Sequence, residues 1–224
     1  MQDLLERLAL CIERGKVNRD ATYPPDLRGE DGAEELTKQL LDAGAPASDV
    51  LAQGLVKGMG VVGAKFSRHE VFVPDLLMAA KAMAAAMTSL RPYFESGEAK
   101  HRGAIVIGTV RGDLHDIGKK LVAMVMEGGG WEVVDLGVDV APEKFIEALK
   151  AHPGAVLGLS ALLTTTMVNM EATVKEVRAV VPNTTIIIGG APVTDDFSKR
   201  IGADAYARDP QAALDWLNVN VAQA

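Results

Sequence analysis

The chain has 224 residues, of which 48% are hydrophobic and 24% charged, a composition that can bury the core of one or two domains under a polar surface. The net charge of −7 and a pI near 5.2 exclude the basic footprint of a nucleic-acid-binding protein. Aromatic residues make up only 4%, so the core must be aliphatic and alanine-rich.

A lone cysteine, Cys11, excludes an intramolecular disulfide and any cysteine-built zinc or iron–sulfur centre. It lies between Leu8 and Ile12 in a helical pattern and is expected to be a buried small hydrophobe. The opening residues, MQDLLERLALCIERG, are amphipathic and carry Asp and Glu, without the basic region and unbroken apolar run of a secretory signal. No stretch approaches the apolar length needed to cross a bilayer, so a cytoplasmic chain with no membrane and no nucleic-acid partner is expected.

Residues 1–94 read as helical. Leu4, Leu5, Leu8 and Ile12 recur at helical spacing from Asp3 to about Arg14. A second helix runs from Gly32 to Ala43 and stops at Gly44. Ser48 is placed as the N-cap of a third, running to about Phe66, with Leu51, Leu55, Met59, Val62 and Phe66 on one side. Pro74 suits the first turn of a fourth. There Leu76, Ala80, Met83, Met87 and Leu90 form a bundle seam, and Ala79, Ala80, Ala84 and Ala85 permit close helix approach. The loop from Arg19 to Gly32 is long for a bundle connection. The polar, aperiodic stretch 95–102 reads as a linker.

Over residues 103–224 the pattern changes. AIVIGTV (104–110) is a short apolar, β-branched run, as in a strand buried on both faces. Further strands are expected at 131–137, 155–162, 184–190 and 203–208. Helices alternate with them, at about 117–127, 142–151, 165–181, up to Ile201, and from Pro210. This alternation implies a doubly wound, five-stranded parallel sheet. Ligands of such sheets lie at the carboxyl ends of the strands, by the topological switch point.

The loop after the first strand, Gly108 to Gly118, is glycine-rich but has neither the G-x-G-x-x-G spacing of a dinucleotide site nor a phosphate-loop pattern. It offers His115 with Asp113 two residues before it. His115 could coordinate a metal through one ring nitrogen while Asp113 accepts a hydrogen bond from the other. A solvated histidine, with Asp116 merely capping the next helix, is the competing reading. One histidine cannot build a zinc or iron site, but it suffices for a metal that brings its own equatorial ligands.

Asp113-Leu114-His115-Asp116-Ile117-Gly118 resembles the D-x-H-x-x-G motif of cobalamin-binding domains. Ser160-Ala161-Leu162 resembles the companion S-x-L motif after the third strand, and Gly189-Gly190 the paired glycines after the fourth. The resemblance implies a flavodoxin- or Rossmann-like domain that binds a corrinoid with its own lower base displaced and His115 as the axial cobalt ligand. Ser160, Leu162, Gly189 and Gly190 would line a cleft for the displaced nucleotide tail, with Ser160 bonding its base and the glycines leaving room. Thr166 stands where related methionine synthase domains have a relay serine, and Tyr206 and Ala207 would close the cleft.

The helical half is similar to the four-helix cap of methionine synthase over Gly60–Phe66 and Glu70–Pro74. Phe66 and Val73 fall at the two apolar positions that shield the methyl group. The full-length likeness is to corrinoid proteins of methylamine, methanol, glycine-betaine and aryl-ether methyltransferase systems. It implies a carrier, not a complete enzyme, cycling between methylcobalamin and Co(I)/Co(II) states. The implied partners are a substrate-specific methyltransferase, a second methyltransferase acting on tetrahydrofolate or a thiol, and a reductive activase. The implied domains are a cap at 1–94, a hinge-like linker at 95–102 and a cobalamin-binding domain at 103–224. The competing readings are an adenosylcobalamin mutase subunit, whose bulky adenosyl group would not fit beneath Phe66 and Val73, and a cobalamin sensor.

Overall fold

The structure, a computed structural model, describes residues 1–221. It divides into two compact units, one of Met1–His101 with Gly128–Gly130, the other of Arg102–Glu127 and the chain from Trp131 onward.

The first unit is helical. Helix α1 (Gln2–Arg14) buries Leu5, Leu8, Ala9, Cys11 and Ile12 and ends at Gly15, whose φ of 69° is the left-handed conformation of a helix C-terminus. Burial pushes the Cys11 thiol up to about 11. Helix α2 (Ala33–Asp42) starts where the Glu35 carboxylate accepts the Gly32 N–H at 2.9 Å. Helix α3 (Ala47–Asp49) runs straight into a π-helical stretch (Val50–Val56) and then α4 (Lys57–Ser67). The helix starts one residue before the expected cap, because Pro46 takes that position and Ser48 lies inside.

Helix α5 (Val73–Glu95) has Pro74 in its first turn, as expected. Its buried row is Leu76, Ala79, Ala82, Met83, Ala86 and Leu90. Ala79 and Ala86 thus take the places assigned to Ala80 and Met87. Alanine at the closest approach lets the helix axes come together, while the longer Met87 packs at the flank. The 23 residues of α5 are long and apolar enough to cross a membrane by length and composition, contrary to expectation. In the structure α5 packs against α1, α2 and α4.

Two parts of this unit expected as irregular are tied down. In the 19–32 loop Arg19 pairs with Asp31 and Arg14 with Asp26, and the fully buried Lys16 donates from Nζ to the Ala21 carbonyl at 2.8 Å. Beyond α5, Ala99 is buried and donates its N–H to the Tyr93 carbonyl at 2.9 Å, and the His101 ring stacks on Phe94 with centroids 4.3 Å apart. The segment before the α/β unit is therefore anchored rather than free along its length.

The second unit alternates β1 (Ala104–Thr109), α6 (Ile117–Gly128), β2 (Glu132–Asp135), α7 (Pro142–Ala151), β3 (Val156–Ser160), α8 (Met167–Val180), β4 (Ile186–Gly189), α9 (Asp195–Ile201), β5 (Ala205–Ala207) and α10 (Pro210–Asn220). All neighbouring strands pair parallel, in the order β2-β1-β3-β4-β5. The order reverses between β1 and β3, so the loops after those two strands flank the switch point. Val106, Leu157, Leu159, Ile186 and Ile188 fill one face of the sheet, packed with Phe145 of α7 and Met170, Val174 and Val177 of α8. Strand alternation sends Ile105, Ile107, Gly158, Ser160, Ile187 and Gly189 to the other face, where the site lies.

Candidate functional site

Strand β1 ends at Thr109 and the chain turns at once. The Asp113 N–H donates to the Val110 carbonyl at 3.1 Å, closing a β-turn whose third residue, Gly112, has φ +80°. That position favours glycine. The turn buries Asp113 completely and leaves the His115 side chain 51% exposed. The buried Thr109 hydroxyl donates to the His115 carbonyl at 2.8 Å and fixes the far side of the loop.

His115 Nδ1 lies 2.8 Å from Asp113 Oδ1, which also accepts the His115 main-chain N–H at 3.0 Å. Asp113 Oδ2 accepts the Leu162 N–H at 2.8 Å, the Leu163 N–H at 3.3 Å and the Thr166 hydroxyl at 2.7 Å. Burial pushes the Asp113 pKa up, but the hydrogen bonds from Leu162, Thr166 and His115 outweigh it and hold the carboxyl far below the usual carboxylate range. An ionised carboxylate only accepts, so Nδ1 carries the ring proton. Nε2 is then a bare lone pair with no hydrogen bond among the described residues. No cluster of three or more His, Cys, Asp or Glu that could hold a metal exists among the described residues. Such a site suits a metal that needs one protein ligand.

Beside the loop opens a cavity of about 610 Å³. Its floor is apolar, from Ile105, Gly158 and Ile187 of the sheet, Leu121 and Val122 of α6 and Ala213 of α10. Its mouth carries His115, Asp116, Gly118, Ser160, Leu162, Gly189, Gly190, Tyr206 and Ala207. The structure thus brings together every residue expected of the α/β half. Thr166 stands behind them, reaching the site through Asp113. Phe66, half-buried at the end of α4, and Val73, exposed at the start of α5, belong to the helical unit.

Some of these positions also carry a structural role. Gly190 has φ +130°, and a Cβ there would stand 1.8 Å from the Ala161 carbonyl oxygen. A Cβ on Gly189 would come within 3.1 Å of the Ala207 carbonyl. These glycines therefore answer first to neighbouring backbone and only then make room for a ligand. Leu162 contributes its main-chain N–H to Asp113 as well as an exposed side chain to the cavity. Asp116 pairs with Lys120 through its carboxylate.

Sequence reasoning missed other parts of the site. Thr109, a lone hydroxyl in an aliphatic strand, was a legible signal. Lys119 was not: its ammonium, buried at the cavity wall, pairs with both carboxylate oxygens of Asp135 at the end of β2.

A family model described as B12 binding domain matches residues 103–215, and a second of the same description matches 29–91. Trimethylamine corrinoid protein 2 of Methanosarcina mazei is 39% identical over 190 residues, covering 83% of this chain and 87% of that one. Dimethylamine corrinoid protein 1 of Methanosarcina acetivorans is 39% identical over 216 residues, covering 95% of each. Among solved structures, the methanol:cobalamin methyltransferase complex of Methanosarcina barkeri matches with a TM-score of 0.81 at 27% identity, over 99% of this chain and 81% of that one.

The residues present fit a corrinoid. The Ser160 hydroxyl at the cavity mouth has no hydrogen bond among the described residues, and a Cβ on Gly118 would meet no atom within 4 Å, so the first turn of α6 opens onto free space. Together with one available imidazole nitrogen and an apolar cavity, these are the contacts that a metal macrocycle with a tail requires. The chain belongs to the B12-binding corrinoid proteins, and its cofactor is a cobalamin-type corrinoid.

Proposed function

We propose that this chain is a methyl carrier that holds its corrinoid through Nε2 of His115. The observation that carries the reading is the Nδ1–Asp113 hydrogen bond at 2.8 Å, which leaves Nε2 unprotonated and exposed. When bound, the cofactor supplies a cobalt that accepts and releases a methyl group.

The protein's own residues do the rest. Asp113 keeps the proton on Nδ1 and orients the ring. Thr166, Leu162 and Leu163 hold that charge in place. The cavity takes the nucleotide tail on apolar walls, with the Ser160 hydroxyl free to bond its base. Asp116, Gly118, Gly189, Gly190 and Tyr206 border the tail. Phe66 and Val73 serve as the apolar shield of the methyl group. A methyltransferase specific for the methyl donor loads the carrier, a second unloads it to tetrahydrofolate or a thiol, and a reductive activase restores it. The methylamine corrinoid proteins and the methanol:cobalamin methyltransferase complex among its relatives support this assignment.

The test is the absorbance spectrum of the chain reconstituted with methylcobalamin, beside His115→Ala. The expected wild-type spectrum is that of a base-off corrinoid ligated by histidine, and the variant should lose this ligation. Identical spectra would remove His115 as the axial ligand.

A further inference from the structure

The turn that presents His115 is held from outside by two residues that make no contact with His115 itself. The register between β1 and the chain after β2 slips by two residues between the pairs Ile107↔Asp135 and Val110↔Val140. Thr109 bonds the bulged segment on both sides, its N–H donating to Gly137 at 3.0 Å and its carbonyl accepting from Val140 at 3.0 Å. Bulges next to ligand sites re-aim a side chain. Here the residue re-aimed is Asp139, at φ 53°, one of two non-glycine residues with positive φ among those described.

Asp139 grips the turn twice. Its Oδ1 accepts the Gly112 N–H at 2.7 Å, and its own N–H donates to the Asp113 carbonyl at 3.0 Å. From the α8 side, Asn169 Nδ2 donates to the Arg111 carbonyl at 2.7 Å. Residues 111, 112 and 113 are therefore each fixed by a group outside the turn. Left-handed backbone at a non-glycine residue is unfavourable and persists where the surroundings impose it.

We infer that Asp139 and Asn169 are positioning residues that clamp the 110–113 turn, so that Asp113 and His115 stand in ligating geometry before the corrinoid arrives. The inference rests on His115 being the axial ligand. Outer partners of a metal ligand typically contribute about 10–100-fold in affinity. Asp139 is exposed, so either change alone falls at or below the low end, a few-fold, and the pair together about tenfold.

The test uses the full chain without cofactor, labelled with ¹⁵N-histidine and titrated with cob(II)alamin. Electron paramagnetic resonance gives a doublet splitting when a ¹⁵N-histidine ligates the cobalt and a triplet when the corrinoid's own ¹⁴N base does. Asp139→Gly accepts the left-handed backbone but loses the carboxylate, and Asn169→Ala removes the other hold. The double variant should bind about tenfold more weakly and show a mixed doublet and triplet, with thermal unfolding close to wild type. Combined with Asn169→Ala, Asp139→Asn keeps an acceptor and tolerates the backbone, so it should return affinity and spectrum to those of Asn169→Ala alone. A wild-type doublet with an equally pure doublet and unchanged affinity in the double variant overturns the clamp alone. A wild-type triplet overturns the ligand assignment and the clamp with it.

Discussion

The Thr166→Val variant removes one hydroxyl from the site, which lies 2.7 Å from Asp113 Oδ2 and 2.9 Å from the Leu163 carbonyl oxygen. Valine matches threonine in shape, and Thr166 is only 5% exposed, so neither a cavity nor a new contact is created. What disappears is the hydroxyl 2.7 Å from Asp113 Oδ2; the Leu162 and Leu163 N–H groups remain on that oxygen. A hydrogen bond to a buried charged group contributes about 1.5–3 kcal/mol. At roughly 2–4 °C per kcal/mol for a chain of this size, the variant should melt about 3–12 °C lower. The sign of the pH dependence follows from Asp113, whose folded pKa is depressed. Its charge stabilises the fold above the ordinary carboxylate pKa of roughly 4, and that contribution is lost as pH falls toward the folded value. Losing the Thr166 hydroxyl raises the folded value. Both proteins should thus lose stability as pH falls below about 4, while the gap between them stays constant until pH approaches the variant's own depressed folded value. The assay is urea unfolding of the chain without cofactor, followed by tryptophan fluorescence, because Trp131 and Trp216 both lie in the α/β unit. No gap at pH 7, or a gap already lost at pH 4, would refute the account of Asp113.

Gly190→Ala should cost about 3 kcal/mol or more, or prevent folding, because it combines φ +130° with a Cβ 1.8 Å from the Ala161 oxygen; its soluble yield and urea midpoint test this. Gly158→Val should fill the cavity floor, where even a Cβ would stand 3.3 Å from Ile105 and Ile107, and weaken cobalamin binding by at least about tenfold in a titration, with far-UV circular dichroism unchanged. Cys11, pushed up to about 11, should have only about one thiol in a thousand ionised at pH 8, so it should react with a thiol reagent far more slowly in the folded chain than in urea.

The α/β half was legible because its signals are local. A short strand-like run followed by a helix repeats five times, and the observed strands fall within the expected ranges, shorter by one to three residues in all. His115 and Asp113 could be read because they lie two residues apart in one loop. The donors that hold Asp113 were harder to read, because two of them are main-chain N–H groups of Leu162 and Leu163, and a backbone donor has no sequence signature. Asp139 was invisible for a related reason: a bulge depends on the pairing register, which only the assembled sheet defines. In the helical unit the shift from Ala80 and Met87 to Ala79 and Ala86 shows the same limit. Helical spacing tolerates both rows, and neighbouring helices choose between them.

The parts of the site are spread along the chain, and this sets an order on its biosynthesis. A growing polypeptide that has passed His115 has made the histidine but not its holder, because the groups that fix Asp113 come from residues 162–166. The cavity wall is completed only when Ala213 is in place. A ribosome-bound fragment that stops short of that residue therefore presents a loose histidine and half a pocket. On the proposed ligation, loading follows translation of α10, and cofactor uptake serves as a report that this helix has docked.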